Sequence, residues 1–155
     1  MEWQQATFDA LDTRTLFTLM KLRVDVFVVE QACAYPELDT HDTASDTVHL
    51  MGWLNGELAA YARILAPGVS YSGSSIGRVI IAPTHRNGQW GHQLVRQAIQ
   101  VCQQQWPEQN IEIGAQAHLQ RFYQKHGFVA FSDVYLEDGI PHIDMRLAVS
   151  ETSAV

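Results

Sequence analysis

This sequence predicts a single α/β domain of the α+β kind, in the order β-α-β-β-β-α-β-α-β-β, and three observations predict it. Apolar runs of strand character alternate with stretches whose apolar residues recur at helical spacing. The Asn55-Gly56 dipeptide joins two such runs, as a type I′ hairpin turn prefers. At residues 76–94 a β-branched run (Val79, Ile80, Ile81) ends at Pro83, a polar turn with two glycines follows, and an amphipathic helix begins near Gly91.

Each element has its own signal. Trp3 to Phe8 reads as a short first strand. Asp12-Thr13 supplies N-cap chemistry for a helix on which Leu16, Met20, Val24 and Phe27 recur. Residues 32–46, with Pro36, read as a loop or broken helix. Their acidic cluster (Glu37, Asp39, Asp42, Asp46) reads as a solvated surface, with an acceptor-binding edge as the competing reading. Strands are expected over Val48 to Leu54, Leu58 to Leu65 and 75–82, the last reached through a Pro67-Gly68 to Gly73 loop. The helix over 91–105 sets Leu94, Ala98 and Cys102 on one stripe, with Val95 and Ile99 beside it, and stops before Pro107. Asn110 to Gly114 makes a strand and 117–126 a helix, with Gly127 where a C′ glycine belongs. Phe128 to Leu136 and His142 to Val149 complete the strands, turning at Asp138-Gly139. The domain is expected over 1–150, with 151–155 as a flexible tail.

Composition fits one domain with a sizeable core: 155 residues, 46% of them hydrophobic and 17% charged, give no case for disorder. Lys and Arg number 10 against 17 Asp and Glu, a formal net charge of −7, and no basic run occurs. Nucleic acid is therefore not an expected partner. The acidic balance suits a cationic acceptor such as an amine, although solubility alone accounts for most acidic proteins. Two cysteines, Cys33 and Cys102, make no disulfide framework, and the histidines show no metal-ligand spacing, so no metal is expected. The start, Met1-Glu2-Trp3, lacks signal-peptide character and no apolar stretch reaches membrane-spanning length. The expectation is a cytoplasmic protein with reduced thiols and no membrane partner.

A strand, a glycine turn and a helix start together form an arrangement that binds phosphate. The first helical N–H groups have no intrahelical acceptor, and the macrodipole places partial positive charge there. A second segment sharpens this reading. Arg86-Asn-Gly-Gln89-Trp-Gly91 and Tyr123-Gln-Lys-His-Gly127-Phe128 together resemble the GCN5-related N-acetyltransferase (GNAT) family. Its pyrophosphate motif reads Arg/Gln-x-x-Gly-x-Gly/Ala, and a later helix carries Tyr-x-x-x-Gly-Phe. Gln89 stands at the usual first-glycine position, with Gly88 just before it. Gln116, seven residues before Tyr123, stands where many members have Asn. Leu22 to Gln31, Tyr35-Pro-Glu-Leu-Asp39 and Tyr135-Leu-Glu-Asp-Gly-Ile-Pro-His142 resemble the ElaA-type branch of that family. The resemblance covers nearly the whole chain and implies a mixed central sheet flanked by helices.

It also implies a chemistry: acetyl transfer from acetyl-CoA to a primary amine by direct attack in a ternary complex. The diphosphate of coenzyme A would lie over the amides of Gly88, Gln89, Trp90, Gly91 and His92, with Arg86 adding charge or merely fixing the turn. The strand before the turn would splay from its neighbour. The Val79 N–H would then face the thioester carbonyl as a one-donor oxyanion hole, and the Ile81 backbone would pair with pantetheine. Tyr123 resembles the family's general acid, since a phenol with a pKa near ~10 stays protonated and can donate to a thiolate. The competing reading makes it core packing beside Phe122 and Phe128. Gln116 either bonds pantetheine amides or caps the following helix.

The position where many members place a basic carboxylate corresponds to about Ser75. The base is then sought in His49 or Glu30, or in a water chain reaching either. Arg23 and Arg63 are expected to pair with Glu30 or Asp25, the alternative being that they hold an acceptor carboxylate. Neither cysteine lies in a motif, which gives no support to an acyl-enzyme. The alternative of another class is a non-catalytic acyl-CoA-binding sensor module. A third reading, ranked last, is an acyl-homoserine-lactone synthase, which Arg23 to Phe27 loosely resembles. The acceptor stays open among peptide N-terminus, lysine, polyamine and small metabolite, and the assembly between monomer and homodimer.

Overall fold

Asp12 caps the first helix: its Oδ1 accepts the Thr15 N–H at 2.7 Å in the computed structural model, which describes residues 1–149. That helix, α1 (Thr13–Arg23), follows β1 (Glu2–Ala6), which ends two residues before the expected Phe8, and a 3-10 turn at Phe8–Ala10. The regular spacing read through Phe27 breaks after Arg23, and Val24–Glu30 forms a π-helical segment. Its Val24, Val26, Val28 and Val29 are β-branched side chains that crowd a regular helical turn.

β1, β2 (Val48–Leu54), β3 (Glu57–Leu65) and β4 (Ser75–Ile81) form an antiparallel sheet in that order. Asn55 and Gly56 connect β2 to β3 with φ of 53° and 78°, the left-handed pair a type I′ turn requires. α2 (Trp90–Gln105) leads to β5 (Ile111–Gln116), a 3-10 turn at Ala117–Leu119 and a short α3 (Gln120–Gln124), so the expected helix over 117–126 is regular only in its middle. Gly127, at φ 94°, ends it.

One strand was expected over Phe128 to Leu136; two short ones form, β6 (Val129–Ala130) and β7 (Tyr135–Glu137). The break has a visible cause. The Asp144 N–H donates to Ser132 Oγ at 2.9 Å, so a side chain stands where a ladder carbonyl belongs. β8 (Ile140–Leu147) follows a tight turn at Asp138 and Gly139, with φ of 50° and 78°. β5, β8 and β6 are neighbours in a second antiparallel sheet, and β7 also pairs with β8. The expected tail at 151–155 lies outside the described residues.

The two sheets join at one parallel bridge, Ser74–Ile111, where the Ser74 N–H donates to the Asn110 carbonyl at 3.0 Å and the Glu112 N–H to the Ser74 carbonyl at 2.8 Å. Among the described residues β4 and β5 share no further ladder, so the two parallel strands diverge from that point. The mixed sheet thus takes the form of two antiparallel sheets hinged at a parallel join.

Helices cover both faces. Leu94, Val95, Ala98 and Cys102 of α2 pack with Ile64, Ile113, Phe128 and Met145. Leu19 and Val26 pack with Met51, Tyr61 and Ile80 on the other side. Alternation along the strands then assigns sides. Ile111, Ile113 and Ala115 of β5 and Ile143 and Met145 of β8 belong to the α2 side. Gln116, His142 and Asp144 therefore lie on the α1 side.

Candidate active site

α2 begins without a side-chain cap and without an acidic residue in its first turn. Its leading N–H groups are left for an external acceptor. Gln89 is the N-cap at φ −99° and ψ 34°, a conformation that needs no glycine, which is why a glutamine stands at the motif's first-glycine position. Gly88 is the crowded one, since a Cβ there would sit 2.9 Å from Trp90 Nε1, whereas one on Gly91 would make ordinary contact with the Phe122 ring at 3.4 Å. A cavity of about 440 Å³ opens here, lined by Ile81, Arg86, Gly88, Gln89, Gly91, His92, Phe122 and Lys125. Its size is that of a cofactor or small-molecule site. His92 stacks on Phe122 with ring centroids 4.6 Å apart, and its Nδ1 lies 2.9 Å from His126 Nε2.

Arg86 does two things. It lines this cavity, and it ties the turn down: Nε donates to the Ile81 carbonyl at 2.9 Å, while Nη1 and Nη2 hold Glu30 at 2.6 and 3.0 Å. The Ile81 backbone, expected to pair with pantetheine, therefore has a carbonyl that already accepts one bond.

β4 carries an irregularity where Val79 was expected to offer its N–H. Tyr61 opposes Ile80 and Arg63 opposes Gly77, so Ala62 alone faces Arg78 and Val79. Such a bulge leaves a residue out of the ladder and is favoured beside active sites. Arg78 sits at φ 51°, a left-handed conformation costing about 1–2 kcal/mol for a residue with a Cβ. Its side chain offsets that cost, with Nε donating to Glu37 Oε1 at 2.6 Å and the guanidinium 5.9 Å from the Tyr35 ring. The sequence reading missed Arg78, although Gly77 inside a strand is a bulge signal.

Tyr123 lies between Phe122 and Phe128, edge-on to both at 5.1 and 5.9 Å. Burial pushes its phenol up to about 12. Gln116 does not cap the turn that follows it. Its Nε2 donates instead to Gln31 Oε1 at 3.4 Å, linking the end of β5 to the segment after α1. Phe122 and Lys125 were also missed, although both lie beside Tyr123 in its motif.

The geometry gives neither proposed base that role. His49 is fully buried; Tyr61 Oη donates to its Nδ1 at 2.6 Å and its Nε2–H donates to the Asp42 carbonyl at 3.0 Å. Burial, against weaker opposing contacts, lowers its pKa, and both nitrogens are spent inside the protein. Glu30 is held by Arg86, whose hydrogen bond lowers its pKa, the wrong direction for a base working near neutrality. Ser75 is buried and paired with Leu65, with no carboxylate in its place.

The acidic cluster is corrected as well. Glu37 and Asp42 are buried and only Asp46 of the four is exposed. Arg23, fully buried, binds Glu37 Oε2 at 2.5 Å and Asp42 Oδ1 at 2.6 Å. Arg63 binds Asp39 at 2.7 Å and Asp42 at 3.0 Å. The partners expected for these arginines are engaged elsewhere, Asp25 with Lys21 at 2.6 Å and Glu30 with Arg86. A buried guanidinium needs such neighbours, because leaving one charge unpaired costs several kcal/mol.

A model of the acetyltransferase (GNAT) domain matches residues 20–149. ElaA of Escherichia coli strain K12 is 45% identical over 149 residues, covering 96% of this chain and 97% of ElaA. The crystal structure of an acyl-CoA N-acyltransferase from Pseudomonas aeruginosa superimposes with a TM-score of 0.90 at 44% identity, covering 95% of this chain and 99% of that one. BjaI, a CoA-dependent acyl-homoserine lactone synthase, shares the fold with a TM-score of 0.75 at 16% identity, over 95% of this chain and 82% of its own. Because the match takes in both motifs and nearly every element around them, the chain belongs to the GNAT family of N-acyltransferases, in the branch that contains ElaA.

Proposed function

We propose that the protein transfers an acetyl group from acetyl-CoA to a primary amine by direct attack in a ternary complex. One observation carries this reading: the uncapped start of α2 opens on a cavity that is also lined by Ile81 at the end of β4 and by Phe122 and Lys125 beside Tyr123. The amides from Gly88 to His92 would hold the diphosphate, with Arg86 and Lys125 supplying positive charge beside it. The Val79 N–H, beside the bulge, would donate to the acyl carbonyl oxygen as charge develops there. The Tyr123 hydroxyl would give its proton to the departing thiolate. Free, buried Cys33 and Cys102 lie outside both motifs, in keeping with transfer that skips an acyl-enzyme and with a cytoplasmic setting.

Calorimetry with coenzyme A tests the cradle, and following free thiol with acetyl-CoA and a panel of amines tests the transfer. Micromolar CoA binding and amine-dependent thiol release are expected. Binding without release from any amine would favour the alternative, a non-catalytic acyl-CoA sensor. No binding at millimolar CoA would remove both.

A further inference from the structure

We propose that His142 is the general base that takes a proton from the acceptor's ammonium group, an assignment that rests on the amine-transfer reading above. The ring's tautomer is set by its partner. His142 Nδ1 lies 2.7 Å from the Ile140 carbonyl oxygen, which can only accept, so Nδ1 carries the hydrogen and Nε2 keeps its lone pair in the neutral ring. Glu137 Oε2 stands 3.7 Å from Nε2, beyond a hydrogen bond to the neutral ring yet close enough to pair with an imidazolium.

Position is the second argument. The β5–β8 register sets His142 directly opposite Gln116, and such antiparallel partners have Cβ atoms about 4.5–5.5 Å apart on one face. From the Ser74–Ile111 bridge, five residues along β4 reach Val79 and five along β5 reach Gln116, each about 16 Å of strand. The bulge at Arg78 takes up one residue without moving the level far. Val79, Gln116 and His142 therefore lie at one height across the divergence. His142 is on the α1 side, whereas Tyr123 packs on the α2 side. The base for the incoming amine and the acid for the departing sulfur thus approach from different sides, so that neither occupies the other's place. The Cys33 Sγ–H contact to the Asp138 carbonyl at 3.4 Å and the Gln116–Gln31 bond close the segment after α1 onto this corner. The His142 side chain is 13% exposed, sheltered but within reach of solvent.

The step balances. The acceptor's R–NH₃⁺ gives one proton to Nε2, which later returns it to solvent. The freed lone pair forms the C–N bond to the acyl carbon and the C–S bond breaks. Tyr123 protonates the sulfur, and the second proton lost from the nitrogen restores the phenol through water. Around the imidazole stand Tyr135 and Glu137 from β7 and the uncharged Gln116 opposite it on β5, while Asp144, two residues along the same face of β8, is itself bonded by Tyr71 and Tyr135 at 2.7 and 2.6 Å.

The test uses acetyl-CoA with glycyl peptide, lysine methyl ester and spermidine as acceptors. His142→Gln is expected to lower kcat at least ~100-fold while CoA affinity and Tm stay near wild type. The acid-side fall of kcat/KM should vanish with the side chain. In His142→Gly, added imidazole should restore part of the rate. A variant that keeps its rate and its acid limb, or a loss that imidazole fails to rescue, would overturn the assignment. Wild-type protein that binds CoA but acetylates no amine would overturn the transfer reading instead, which separates the two failures.

Discussion

Burial holds the Tyr123 phenol near 12, so it stays protonated across the working range. Tyr123→Phe should lower kcat by about 10²-fold or more and leave the CoA dissociation constant within twofold. In wild type, kcat/KM should show no alkaline limb from this group below about pH 10. Arg23 makes the contrasting case, a structural ion. Arg23→Met would leave Glu37 and Asp42 buried without their main partner, and urea unfolding should register a loss of about 3–5 kcal/mol. Asp42 makes stability depend on pH. Burial pushes its pKa up, but hydrogen bonds from Arg23, the Asp39 amide and Arg63 more than reverse this, to about 2. A folded value below the unfolded one stabilises the protein above the unfolded pKa, near ~3.9, and that stability drains away as pH falls from there through about 2. Acid titrations of wild type and Asp42→Asn should diverge across that window. Tyr123 stands out in the sequence as a candidate because a motif of fixed spacing surrounds it. The Arg23–Glu37–Asp42 network was not, since residues 14 and 19 positions apart meet only after a loop folds back over α1. His49 misled for the same reason: a polar residue's role depends on which strand face is covered, and periodicity is silent about the cover.

Elements with local causes were readable and those with tertiary causes were not. Asn55-Gly56, Asp138-Gly139, Gly127 and the Asp12 cap all formed where local chemistry placed them. The Arg78 bulge and the split between β6 and β7 depend on contacts from elsewhere in the chain. α2 ties an element to function most directly, because its start is left uncapped. Gln89→Asp would supply the missing cap and favourable charge near the helix dipole, raising stability by about 0.5–1 kcal/mol. The same carboxylate would stand beside the expected diphosphate and should weaken CoA about tenfold, or about 1.4 kcal/mol. Melting curves and calorimetry on one variant would then move in opposite directions. Gly127→Ala tests a purely structural position: at φ 94°, with a new Cβ 3.0 Å from Leu147 Cδ1, it should cost about 1–2 kcal/mol without altering CoA affinity beyond twofold.

At the scale of the whole molecule, a two-sheet body is joined through one parallel bridge and through the helices packed on its faces. The divergence that opens the cleft removes ladder bonds that a continuous sheet would have kept, so the open ends of β4 and β5 should be the less protected parts of their strands. A pantetheine arm between them would supply the missing polar partners, and a diphosphate on α2 would supply acceptors for its first turn. Binding and stability are then linked. At a CoA concentration of 100 times the dissociation constant the folded state gains about 2.7 kcal/mol, which for a chain of this length corresponds to a Tm rise of about 5–10 °C. Hydrogen exchange should place the gain unevenly. Protection should grow at Val79 to Ile81, at Ala115 to Gln116 and across Gly88 to His92, while β1 and the outer half of β2 change little. A Tm that climbs with the logarithm of CoA concentration, with protection confined to those segments, would show one ligand spanning the hinge. A climb with protection spread evenly over both sheets would point to binding away from the divergence and would detach the Val79 and His142 assignments from the cleft.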